Sequence, residues 1–209
     1  MNVIAFIDGF NLYHAIHDCG QNHWKWLDLK SLCSIFAPKP QYNLNKIYYF
    51  SAYATWRPNA YKRHREYIKA LEAVGVTPIM GNFKAKTRTC FTCNSTWVDH
   101  EEKETDVNLA IYLLKESYQD NFDRALILTG DSDLTPVIKK VKILFPDKEL
   151  KIITPINRNT SMDLFNAVGG SKNCKEIKQI HIERSLLPRE VSNEQGVIIA
   201  VRPTEYDPP

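Results

Sequence analysis

The sequence is poor in the features that would place it outside the cell or in a membrane. Its five cysteines are an odd number in 209 residues, which argues against a complete disulfide framework and for a reducing compartment, so the cytoplasm is expected. Met1–Phe10 has no basic start and carries Asp8 inside its apolar stretch, so it does not read as a signal peptide. No apolar run approaches the roughly 18–20 residues that a membrane span needs. With only eight glycines and eleven prolines the chain is neither collagen-like nor of low complexity. No Gly-rich phosphate loop and no Gly-x-Ser-x-Gly elbow occurs, so P-loop NTPases and serine hydrolases lack their minimum parts. Charge of one sign is also missing: a net +3 is no more than solubility requires, and only the distribution of charge can point to a partner.

What is present is an ordinary globular composition. A hydrophobic fraction of 44% excludes wholesale disorder, and the length suits one core with a small appendage. Short runs rich in β-branched and aromatic residues alternate with longer amphipathic stretches, the pattern of an α/β fold. Strands are expected at Asn2–Ile7, Lys46–Tyr53, Val76–Met80, Arg124–Leu128, Leu150–Thr154 and Ile177–Ile182. Several are almost continuously apolar, as strands buried on both faces of a parallel sheet are. Helices are expected at Asn11–Cys19, Leu29–Phe36, Tyr61–Val74, Glu104–Tyr118, Leu134–Leu144 and Met162–Ala167, the fourth burying Val107, Ala110, Ile111 and Leu114. Gly81–His100 breaks the rhythm and reads as a basic hairpin or knuckle insertion. Residues 1–183 are expected to form one domain, and 184–209 an accessory strand or loose tail.

The informative residues stand where strands are expected to stop. Asp8 follows Val-Ile-Ala-Phe-Ile, and Asp131 and Asp133 follow Ala-Leu-Ile-Leu-Thr-Gly. Loops at the carboxyl ends of parallel strands form the ligand crevice of such sheets. Asp106, at the start of the helix before that strand, is placed to join the same rim, with Glu104 nearby. Carboxylates brought together raise one another's pKa unless a cation offsets them. Oxygen donors suit Mg²⁺ or Mn²⁺, and the chemistry expected is phosphodiester hydrolysis, with Asp8 and Asp131 as principal ligands and Asp106 and Asp133 binding directly or through water. Each acid has a structural alternative: Asp133 as the cap of the helix beginning Leu-Thr-Pro, Asp106 as complement to its helix dipole, Asp8 as a turn residue before Gly9.

Three blocks carry a family resemblance: Phe6-Ile-Asp-Gly-Phe-Asn-Leu-Tyr13, Glu102-Lys-Glu-Thr-Asp-Val-Asn-Leu-Ala110 and Thr129-Gly-Asp-Ser-Asp-Leu-Thr-Pro-Val137. Over residues 1–183 the sequence resembles NYN domains of the LabA-like group, within the PIN-like nucleases. The resemblance implies a Rossmann-like three-layer sandwich with a mostly parallel central sheet, and an acidic metal site that cleaves RNA. Asp8, Asp106, Asp131 and Asp133 match the family's acidic positions, Asn11 matches the polar residue after the first, and Ser132 lies between the last two. The reading is a divalent-metal-dependent endoribonuclease acting on single-stranded or loop RNA, leaving a 3′-hydroxyl and a 5′-phosphate. Its alternatives are an RNA-binding module without turnover and a nuclease acting on DNA.

Two further groups of residues bear on that reading. Arg57, Arg63, Lys84, Lys86 and Arg88 make residues 57–88 locally basic and are expected to contact phosphate, with Trp56, Tyr61, Phe91 and Trp97 as stacking partners for unpaired bases. Cys90 and Cys93 have the spacing of half a structural zinc site; the missing ligands are sought at His100, at remote cysteines and histidines, or in a second protomer of a homodimer. His14 and His17, three residues apart on the first helix, read as surface or packing residues.

Overall fold

The computed structural model describes residues 1–209. The chain runs β1 (Asn2–Asp8), α1 (Gly9–Asp18), α2 (Leu29–Phe36), β2 (Asn43–Ala52), α3 (Pro58–Ala73), β3 (Thr77–Thr89), β4 (Thr96–Lys103), α4 (Thr105–Tyr118), β5 (Arg124–Leu128), α5 (Thr135–Leu144), β6 (Glu149–Thr154), α6 (Met162–Val168), β7 (Cys174–Glu176), α7 (Gln179–Glu183), β8 (Glu190–Ser192) and β9 (Ile198–Val201). Seven strands form one sheet in the order β4-β3-β2-β1-β5-β6-β7. Every pair in it is parallel except β3 with β4. The result is the expected three-layer sandwich, wound outward in both directions from β1.

The alternation along β1 builds both layers. Val3, Ala5 and Ile7 face a core completed by Leu12 and Ile16 of α1, Leu29 and Leu32 of α2, and Ile68 and Leu71 of α3. Ile4 and Phe6 face the opposite core, with Leu109 and Leu113 of α4, Ile138 and Val141 of α5, and Leu164 of α6. A strand covered on both faces has no polar side to present, which is why its sequence reads as an unbroken apolar run. Each fully buried leucine here contributes roughly 1.5–3 kcal/mol of transfer free energy.

Helix α4 rotates away from the expected face. It buries Thr105, Leu109, Leu113, Glu116 and Ser117, while Val107 is 60% and Ile111 54% exposed. The buried Glu116 explains the rotation: its carboxylate accepts from Tyr48 Oη at 2.8 Å and from Asn121 Nδ2 at 2.6 Å, with Lys46 at 3.5 Å. A buried acid must keep its partners, so these contacts pin α4 against β2 and fix the direction in which its first turn points.

Ile177–Ile182 is not a strand. The edge strand is Cys174–Glu176, and residues 179–183 form the short helix α7. Ile177 and Ile182 are buried while Ile180 is exposed, an arrangement that strict alternation cannot give. The C-terminal residues are packed rather than loose. The β8–β9 hairpin lies on α3, where Leu187, Val191 and Ala200 enclose Trp26 and Ala70, Trp26 Nε1 donates to Pro188 O at 2.8 Å and Val201 N donates to Glu66 Oε1 at 3.1 Å.

Candidate active site

The sheet order reverses at β1, whose neighbours β2 and β5 are reached by connections on opposite faces. A crevice opens beyond the carboxyl ends of strands at such a switch point, and the register sets Ile7 beside Leu128. Asp8 ends β1 and caps α1, accepting from Asn11 N at 3.0 Å through Oδ1 and from Thr129 Oγ1 at 3.0 Å through Oδ2. The Asn11 side chain reaches across to accept from Gly130 N at 2.9 Å. Thr129 Oγ1 in turn accepts from Asp131 N at 3.0 Å. Two strand ends are thus stitched together by side chains that leave both aspartates at the crevice.

Close approach at this point requires glycine. A Cβ on Gly9 would lie 2.6 Å from Phe50 O and 2.7 Å from the Tyr49 ring. A Cβ on Gly81 would likewise lie 2.7 Å from Lys103 O, where β4 turns into α4. That turn passes through Glu104 in the left-handed region, φ 79°. The reversal decides which acid faces the crevice. Glu104 turns outward to accept from Asn82 Nδ2 at 3.0 Å, while Glu102 accepts from Thr105 N at 2.9 Å and from the Thr105 hydroxyl.

The cleft so formed has a volume of about 760 Å³, and its lining includes Asp8, Asn11, Glu102, Asp106 and Asp131. Burial, and then the charges of Asp131 and Glu102, push the Asp8 carboxyl up to about 6, against the lowering effect of its hydrogen bonds from Asn11 and Thr129. Asp106 is raised to about 6 by burial and by Asp8, Asp131, Glu102 and Asp133. None of the molecule's ion pairs involves any of these five acids.

Not every expected residue belongs to the cleft. Asp131, rather than Asp133, does the capping: it accepts from Asp133 N at 2.9 Å across the 3₁₀ turn Ser132–Leu134. Ser132 and Asp133 are exposed and do not line the cleft, although the charge of Asp133 reaches Asp106. Arg57 and Arg63 line it; Lys84, Lys86 and Arg88 do not. Antiparallel register puts Lys86 opposite Asp99 and Arg88 opposite Trp97, and both cations reach diagonally along the hairpin, Lys86 to Glu101 at 3.4 Å and Arg88 to Glu101 at 2.5 Å and Asp99 at 3.2 Å.

Cys90 and Cys93 sit at the hairpin tip, where Cys93 Sγ lies 3.1 Å from Ser95 Oγ. His100 does not join them: it stacks on Trp56 lower on the hairpin, centroids 3.8 Å apart and planes at 7°. No three His, Cys, Asp or Glu side chains are assembled closely enough to hold an ion, at the tip or in the cleft. The expected zinc knuckle is therefore not formed within one chain.

Sequence reading missed several cleft residues. Glu102 was masked by Glu104, since only the left-handed turn between them distinguishes their directions. His64 lies 3.5 Å from Ser51 Oγ, and burial pushes its pKa down to about 4, so it is neutral near pH 7. It comes from α3, whose polar residues give no sign of pointing inward. Tyr206 reaches the cleft from the C-terminal segment, which no local pattern ties to this site.

Comparison with known proteins agrees with the architecture. The family description "NYN domain" matches residues 2–170. Over 101 residues, 47% of this chain, the sequence is 33% identical to 6-hydroxy-3-succinoylpyridine 3-monooxygenase HspA of Pseudomonas putida (strain DSM 28022 / S16). The match spans 31% of that protein. A crystal structure of a protein of unknown function from Vibrio parahaemolyticus RIMD 2210633 is similar over 89% of this chain and 96% of its own, with a TM-score of 0.56 and 15% identity. That likeness is one of fold alone.

Proposed function

Because the chain belongs to the NYN domain family of the PIN-like nuclease superfamily, we propose that it is a divalent-metal-dependent endoribonuclease with its acidic centre at Asp8, Asp106, Asp131 and Glu102. One observation carries the reading: these carboxylates share one cleft at the switch point without a cation of the chain beside them, and two are pushed up to about 6 by burial and by one another. Such a cluster is costly unless a positive charge joins it.

The donors are hard oxygens, which suit Mg²⁺ or Mn²⁺. Mg²⁺ typically keeps several waters and binds through one or two carboxylates plus substrate phosphate, so a preassembled cage of three ligands is not required. Asp8 and Asp131, whose positions are fixed by Thr129 and Asn11, are the residues that would hold the ion. When bound, the ion supplies Lewis acidity at the phosphoryl oxygens and makes a bound water more acidic. Asp106, half-buried and raised to about 6, takes the proton of the attacking water. The water oxygen bonds to phosphorus as the P–O3′ bond breaks, and the leaving 3′ oxygen is protonated from solvent, giving a 3′-hydroxyl and a 5′-phosphate. Arg57 contacts backbone phosphate. Trp56, stacked on His100 and edge-on to Phe83 at 4.6 Å, offers an aromatic surface to an unpaired base, which favours single-stranded or loop RNA.

The test is cleavage of a mixed single-stranded RNA by purified protein with Mn²⁺ or Mg²⁺, beside EDTA and the Asp8→Asn variant. Cleavage is expected to require the ion and Asp8. Activity surviving both EDTA and Asp8→Asn excludes this mechanism, and equal cleavage of matched DNA removes the RNA assignment. The cationic and aromatic residues of the same cleft, Arg57, Arg63 and Trp56, suit one competing reading, an RNA-binding module without turnover. That reading expects salt-dependent RNA binding and no ion-dependent product.

A further inference from the structure

Besides its acids, the cleft is lined by cationic and aromatic residues, one of them from beyond the matched family segment. Lys25 lies in the 3₁₀ turn Asn22–Lys25 after α1, and Arg63 lies on α3. Tyr206 comes from the 3₁₀ turn Thr204–Tyr206 after β9. All three line the cleft. The C-terminal turn is fixed in place: Tyr206 N donates to Pro203 O at 2.8 Å, Arg202 pairs with Asp207 at 3.0 Å, and the Tyr206 ring packs against the cluster around Trp26.

Lys25 is half-buried and has no carboxylate partner. Its Nζ lies 2.7 Å from Asn22 Oδ1 and 3.1 Å from His17 Nδ1, with the Tyr13 ring at 5.6 Å and the Tyr206 ring at 5.9 Å. Burial, and then the charge of Arg63, lower its pKa. Arg63 is held by Glu205 through Nη1 at 2.9 Å, and its guanidinium lies 5.9 Å from the Tyr206 ring. Two cations that repel each other in a recess are stabilised by a shared anion, and a phosphate oxygen can accept from an ammonium, a guanidinium and a phenol together.

We propose that Lys25, Arg63 and Tyr206 form a phosphate-binding subsite, completed by the C-terminal turn, which grips a backbone phosphate of the RNA away from the acids that cut it. Glu205 orients Arg63 and also competes with the phosphate for it. The inference rests on the ribonuclease reading for the identity of the ligand, but not for the existence of the subsite.

The experiment measures binding of a six-nucleotide oligouridylate by fluorescence anisotropy in EDTA, where no ion-dependent step occurs. Lys25→Gln is expected to weaken binding about tenfold and to lower the salt slope by about 0.7, one phosphate contact on a single strand. Tyr206→Phe keeps the ring and its packing while removing the hydroxyl, and is expected to weaken binding about threefold. Glu205→Gln, at an exposed side chain, is expected to tighten it. Wild-type affinity and slope in both Lys25→Gln and Tyr206→Phe, with melting temperatures unchanged, overturn the proposal. Loss of binding in Lys25→Gln without any ion-dependent cleavage by the wild type supports the subsite while removing the nuclease reading, so the two failures remain distinct.

Discussion

Two acidic regions of this molecule look alike in sequence and behave as opposites in structure. At the β3–β4 hairpin, Asp99 and Glu101 form ion pairs with Lys86 and Arg88 of the neighbouring strand, and their charges are neutralised at the surface. Lys103 adds a further contact to Glu101 at 3.1 Å. Around the ends of β1 and β5, Asp8, Asp106, Asp131 and Glu102 line a cleft and none of the four is held in an ion pair. A carboxylate that has its cation already is doing structural service; one kept among its own kind, half or wholly buried, has an affinity left over for something that is not part of the chain. The pKa directions agree, since Glu101 is lowered by Lys103 and Lys86, whereas Asp8 and Asp106 are raised.

The sharpest way to break this contrast is to neutralise one acid in each region. Asp131→Asn is expected to lower Mn²⁺-dependent RNA cleavage by roughly a thousandfold, within the span of losses seen when a general acid–base or charge-stabilising group is removed. Glu101→Gln on the hairpin is expected to change it less than about twofold. Comparable losses in the two variants, measured as initial rates, would remove the distinction.

How far this was readable beforehand depended on whether backbone direction entered. Asp8 and Asp131 were legible because a parallel strand buried on both faces announces its own end, and the carboxyl end of such strands is where crevices form. Asp106 followed from its place at a helix start. Glu102 was not legible: choosing it over Glu104 requires knowing that residue 104 adopts a positive φ. The outward rotation of α4 depends on Glu116 finding Tyr48, 68 residues away in sequence. That Lys86 and Arg88 are paired with Glu101 and Asp99 could not be read from composition, because the hairpin formed around Cys90–Ser95 brings them within reach. Ile177–Ile182 has strand-like composition, but the helix wins by burying residues 177 and 182 together. The C-terminal turn reaches the cleft through tertiary packing that leaves no mark in local pattern.

The next test concerns stability and pH. Asp8 and Asp106 hold protons to about 6 in the folded chain, well above the ordinary aspartate value of about 3.9. Their contribution to stability is therefore full below about pH 4 and is lost as pH rises through about 6. Ion-free protein is expected to lose roughly 5 °C of melting temperature between pH 5 and pH 7.5 relative to the Asp8→Asn, Asp106→Asn double variant. Saturating Mn²⁺ should restore it at pH 7.5 and do little at pH 5. Parallel melting curves for the two proteins across that range would refute this assignment of the protons.

Gly9→Ala probes the stitching that holds the acids in place. The added carbon meets Phe50 O at 2.6 Å, a backbone contact that cannot swing aside, and is expected to cost about 1–3 kcal/mol. Chemical denaturation measures it; a cost below about 0.5 kcal/mol contradicts the tight approach of α1 to β2. The smallest effect is expected from Arg88→Gln, where two exposed contacts should amount to no more than about 1 kcal/mol, and a larger loss in the same measurement means the hairpin pairs are not merely superficial.

The unpaired acids at the β1–β5 switch point are proposed to take a divalent cation. Electron paramagnetic resonance of Mn²⁺ titrated into the protein at pH 7.5 tests this directly, comparing the wild type with the Asp8→Asn, Asp131→Asn double variant. The free-Mn²⁺ signal is expected to be quenched by the wild type and to persist at the level of buffer with the double variant. Equal quenching by both proteins, or none by either, contradicts it.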